Sequence, residues 1–194
     1  LLPLEKDGEK IALIGPLVDD KNSPLGHWRS QAIYNSATSV LEGMNKYKGN
    51  RTIFEKGVEL YYGKTNFHNR VKLNYNDRSE FGKAKLAAAT SDVVVMVMGE
   101  EGNQSGEGRS RTNIGLPGLQ LELLKEIYKI NQNIVLVVMS GRPLDLSWAD
   151  KNIPSILQAW HLGSKSGDAI AQVLYGDYNP VSYTHLRAHE TSRN

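Results

Sequence analysis

The chain has 194 residues, of which 40% are hydrophobic and 23% charged. That suits one domain with a packed core and a solvated surface, and it excludes disorder over most of the length. With 23 basic against 21 acidic residues the formal net charge is only +2, too balanced for nucleic acid or an anionic membrane as the main partner. The absence of cysteine excludes disulfides, thiolate metal sites and a cysteine nucleophile.

No apolar run approaches the roughly 18 residues of a membrane span. The first residue is Leu1 and no leader pattern follows it, so the chain reads as a piece of a longer protein.

Five short apolar runs alternate with helix-like stretches. The first is Ile11–Ile14, ended by Gly15-Pro16. A stripe at spacings of three and four (Ile33, Ala37, Val40, Leu41, Met44, Tyr47) then predicts a helix. Val58–Tyr62, ended by Gly63, reads as the second strand, and 63–79 as a polar loop. Phe81, Ala84 and Ala88 form a weak helical stripe after Ser79, a candidate N-cap.

Val93–Met98 and Ile134–Met139 are apolar at every position, the pattern of strands covered on both faces. Between them Leu119, Leu123, Ile127 and Ile130 form the strongest helical stripe, with Pro117 at its start. Ile156–Trp160 is a weaker strand. Ala169, Ile170, Val173 and Leu174 form a last helix, ended at Gly176. This alternation predicts an α/β fold: a three-layer sandwich with a mostly parallel central sheet flanked by helices. Ligands in such sheets gather outside the C-terminal strand ends.

Residues 181–194, "VSYTHLRAHETSRN", have no apolar periodicity. They read as a foreign, unstructured tail of the kind a cloning or sequencing adapter leaves, and are set aside. Their His185 and His189 stand at i, i+4 spacing, but no carboxylate is placed to complete a metal site, so none is expected.

The glycine-rich loop 99–111 leaves the most apolar strand and holds three carboxylates and two arginines in thirteen residues. Glu107 stands between Gly106 and Gly108, where nothing bulky shields it. A carboxyl on such an arm can be delivered into a neighbouring cleft, where burial raises the pKa of a carboxyl as a general acid near neutral pH requires. A solvated loop with internal Glu–Arg pairs accounts for the same composition. No phosphate-cradling motif and no G-x-S-x-G occurs. Trp28, in "GHW", can stack on a sugar or pack the domain edge. Arg142, in the turn Gly141-Arg142-Pro143, is expected to hold a carboxylate, and His161 to be structural.

Five ordered segments, "IALIGPLVDD" with "GHW", "DVVVMVMGE", "SGEGRSRTNIGLPGLQLELLKEI", "VLVVMSGRPLDLSW" and "ILQAWHLGSKSGDAIAQVLYGDYNP", are together similar to the C-terminal domain of family 3 glycoside hydrolases of the bacterial periplasmic β-glucosidase type. The domain then spans residues 1–180. The resemblance implies a retaining, exo-acting hydrolase without cofactor or metal, acting on an oligosaccharide or glycoside with terminal β-D-glucosyl residues. It implies a periplasmic or secreted location.

It implies an N-terminal (β/α)8-type barrel domain that carries an Asp nucleophile, while this domain supplies the acid/base Glu at the position of Glu107. Trp28 falls where some members place an aromatic near the aglycone, Arg109 and Arg111 match a basic stretch after the acid/base, and all three are expected to bind substrate. Without the barrel the fragment alone is expected to be inactive. A non-catalytic α/β module binding a partner or small ligand accounts for the fold pattern equally, but not for the order of the motifs.

Overall fold

A computed structural model describes residues 1–66 and 68–181; His185 and His189 lie outside the described residues. Among the described residues five strands alternate with five α-helices: β1 Asp7–Ile14, α1 Val40–Met44, β2 Gly49–Glu55, α2 Phe81–Ala89, β3 Val93–Gly99, α3 Gln120–Tyr128, β4 Ile134–Met139, α4 Ser147–Asn152, β5 Ser155–Gln158 and α5 Ser166–Leu174. All four strand pairings are parallel, in the order β2-β1-β3-β4-β5.

The unbroken apolar runs become the central strands. Every residue of β3 and β4 is buried. Side chains alternate across the sheet. Val94, Met96 and Met98 meet Phe81, Ala84, Leu123 and Ile127 on one face. Val93, Val95 and Val97 meet Val40, Met44, Ile170 and Leu174 on the other. The result is three layers with two cores, one on each side of the sheet.

Three local expectations are corrected. The second strand is Gly49–Glu55, not Val58–Tyr62. As the sheet edge, β2 has no fully buried residue and carries no apolar run. Val58 and Leu60 are buried from a loop instead, and Tyr61 forms only an isolated antiparallel bridge with Leu73.

The first helix is confined to Val40–Met44. Ile33 and Tyr34 are exposed and Asn35 takes φ 58°. The helix begins where Ser39 and Glu42 form a reciprocal capping box. Ser79 does not cap α2: the N-cap is Glu80, and the Ser79 amide donates to Asp77 Oδ1 at 2.9 Å.

The short helix α4 has no stripe long enough to read. It is held by Trp148, which meets Tyr128 edge-on at 5.6 Å and lies under the Lys125 ammonium at 5.4 Å.

Candidate active-site loop

The strand order reverses between β1 and β3, so the loops after these strands leave the sheet side by side and open a crevice. Gly99 ends β3 with φ 139°. A Cβ there would lie 1.7 Å from the Met139 carbonyl oxygen, so only glycine lets the chain pass the end of β4. The Glu100 amide then donates to that carbonyl at 2.8 Å.

Gln120, fully buried at the start of α3, clamps the same point. Its Oε1 accepts the Gly99 N–H at 2.9 Å, and its Nε2 donates to the carbonyls of Gly99 at 2.8 Å and Pro117 at 2.9 Å.

The three glutamates of the loop have separate fates. Glu100 is fully buried between two guanidiniums, Arg111 Nη1 at 2.5 Å and Arg142 Nε at 3.1 Å. Glu101 is buried as well. It accepts the Asn103 amide at 2.8 Å, Asn103 Nδ2 at 2.7 Å and Thr65 Oγ1 at 2.9 Å, and burial raises its pKa.

Glu107 is exposed at the tip, between Gly106 (φ 105°) and Gly108 (φ 68°). Residues 100–105 are thus buried and the projection is confined to the tip. Two of the three carboxylates are spent on the scaffold, and the third is presented to solvent.

The loop after β1 meets this tip. Ser23 Oγ accepts the Gly102 N–H at 3.1 Å. His27 is buried, with its ring edge-on to Trp28 at 5.3 Å. Burial, helped by the Arg109 and Arg29 charges, lowers the His27 pKa. Arg29 Nη1 donates to the Asn22 carbonyl and Asn22 Oδ1, both at 2.6 Å, which leaves Trp28 projecting with 72% of its surface exposed.

Arg109 is half-buried beside the tip. Arg111 turns inward, donating to Glu100 and, through Nη2, to the Gly115 carbonyl at 3.1 Å. Both arginines line an open cleft of about 640 Å³ shared with Arg70, Tyr75 and Gln104.

The expectation for Arg142 matches its ion pair with Glu100. His161 is half-buried beside Gly141, and loss of solvent around its ring lowers its pKa. Sequence reasoning missed Gln120, because one amide at a helix start carries no pattern. It also missed the role of His27, whose only trace was its place in "GHW". No group of three or more His, Asp or Glu that could hold a metal occurs among the described residues, and no helix among them is long and apolar enough to cross a membrane.

An all-parallel α/β domain with a carboxylate-bearing loop over its strand-order reversal is the class of protein these observations define. The model of the glycosyl hydrolase family 3 C-terminal domain matches residues 1–188, a span that takes in 181–188 of the tail. The chain belongs to this family.

It is 36% identical over 188 residues to a periplasmic beta-glucosidase of Salmonella typhimurium, covering 92% of this chain and 24% of the relative. It is 34% identical over 185 residues to a beta-xylosidase of Formosa agariphila, covering 93% and 24%. The crystal structure of a beta-glucosidase from Listeria innocua in complex with isofagomine superposes with a TM-score of 0.78 at 28% identity, covering 93% of this chain and 23% of that one. The chain therefore spans about a quarter of the length of these relatives.

Proposed function

We propose that residues 1–180 form the acid/base-bearing domain of a retaining, exo-acting β-glucosidase. Glu107 is its proton donor, and the nucleophilic Asp lies on a separate (β/α)8-type barrel domain. The observation that carries this reading is the division of labour among the glutamates. Glu100 and Glu101 are buried and paired, and Glu107 alone of the three is exposed.

Retention requires two carboxyls about 5–5.5 Å apart across the glycosidic bond. One attacks the anomeric carbon as the other protonates the leaving oxygen; the second then takes a proton from the water that releases the sugar. A short exposed tip on a fixed base suits the second role, because docking against a partner domain takes the carboxyl out of water without bending the scaffold.

Trp28 offers an apolar face on the aglycone side, and Arg109 and Arg111 border the cleft next to the tip. The substrate is a small oligosaccharide or glycoside with a terminal β-D-glucosyl residue. The name of the Salmonella relative supports a periplasmic or secreted setting.

The test compares the 194-residue chain with the full-length enzyme. The chain alone should release no glucose from cellobiose, and the full-length enzyme should release it first as the β-anomer, read by proton NMR. Hydrolysis by the chain alone, or α-glucose as first product, would refute the assignment.

A further inference from the structure

We propose that the turn Gly141-Arg142 after β4 is a positioning element for Glu107, with Arg142 as its positioning residue; the inference rests on the acid/base reading of Glu107. Arg142 serves three acceptors from one planar group. Its Nε donates to the buried Glu100 carboxylate at 3.1 Å, while its Nη2 donates to the carbonyl of Gln104 and, at 2.7 Å, to that of Arg109.

Gln104 and Arg109 are where the tip leaves the scaffold and returns to it. A single nitrogen therefore closes the stem of Ser105–Gly108 from outside the loop. Inside the tip the Arg109 amide donates to the Gly106 carbonyl at 3.2 Å.

The turn that delivers the guanidinium is itself held. Ser140 Oγ donates to the Arg142 carbonyl at 2.8 Å, and Gln158 Nε2 on β5 donates to Ser140 Oγ at 3.2 Å. Its glycine packs on the same stem: a Cβ on Gly141 would lie 2.0 Å from Ser105 Oγ and 3.2 Å from His161 Cε1. Two independent contacts of one turn thus set where the two ends of the tip stand.

Lysine supplies a charge for Glu100, but its single ammonium nitrogen cannot hold that carboxylate from one point of a planar group and the two carbonyls from another. In the full-length enzyme, Arg142→Lys should therefore displace the tip while keeping the buried charge neutralised. The readout is kcat/KM for cellobiose, whose leaving group needs a proton, against 2,4-dinitrophenyl β-glucoside, whose leaving group does not.

Misplacing a reacting group by about 1 Å costs on the order of 100-fold. The cellobiose value should fall about 10–100-fold and the dinitrophenyl value less than about threefold. Gly141→Ala, which changes neither member of the ion pair, should give the same split. Wild-type ratios in both variants, or an equal loss on both substrates, would overturn the proposal. Failure of both variants to fold assigns the turn to the scaffold alone and also overturns it. Glu107→Gln measured in parallel separates the two ideas: no split there refutes the acid/base reading, while a split there but not in the turn variants refutes the positioning role.

Discussion

The ring of His27 lies directly against the backbone of Gly106, so close that a Cβ on Gly106 would sit 2.1 Å from His27 Cδ2 and 2.7 Å from Nε2. The loop after β1 thereby fixes the residue that precedes Glu107 in the loop after β3. Gly106→Ala meets both a steric wall and a φ of 105° that side chains resist. The variant should lose about 1–3 kcal/mol of stability in urea unfolding. His27→Ala should relieve the wall but not the backbone strain, and so recover part of the loss.

Glu100 predicts a different failure. Its carboxylate is fully buried and shared by two guanidiniums that are themselves less than a quarter exposed. Removing one partner of a buried ion pair leaves charge uncompensated and costs about 3–5 kcal/mol. Glu100→Ala should fall in that range by chemical denaturation. A loss under about 1 kcal/mol would mean that water reaches the two arginines.

Much of this architecture is legible in the residues. The all-apolar runs that became β3 and β4 announce two covered faces, and the loop holding Glu107 follows from its glycines and its place after a central strand. What escaped is the edge and the clamp. β2 is half-solvated along its length and includes Asn50 and Arg51, so its pattern is hidden. Ile33 fits a helical spacing that the left-handed Asn35 breaks. Gln120 gives no signal, because its three hydrogen bonds go to backbone groups that only the folded chain brings together.

Gln120 is accordingly the most informative silent position. Its amide satisfies both polar groups of Gly99 and the carbonyl of Pro117 in a fully buried place. Gln120→Leu, similar in size, leaves those groups unpaired at about 1–3 kcal/mol for each one that water cannot reach. The expected result is a clear drop in melting temperature, with faster amide exchange at Gly99.

His161 predicts a pH dependence. Burial holds its folded pKa below the ordinary histidine value of about 6.5, so the unfolded chain takes up a proton first as pH falls. Stability from this group is fully present above about pH 6.5 and is lost as pH falls from there through the lowered folded pKa. The melting temperature of the wild type minus that of His161→Gln should therefore shrink between pH 7.5 and pH 5. A gap that widens in that interval would show that the folded protein favours the imidazolium.

The central claim, that Glu107 gives and takes the proton, is tested most directly by full-length Glu107→Gln with azide. General acid–base catalysis contributes about 100- to 10,000-fold, so kcat/KM for cellobiose should fall by that order while 2,4-dinitrophenyl β-glucoside is still attacked. Azide, which needs no base, should then speed release of the glucosyl-enzyme formed from the dinitrophenyl substrate and yield β-glucosyl azide. Unchanged cellobiose turnover, or no azide adduct, would contradict the account.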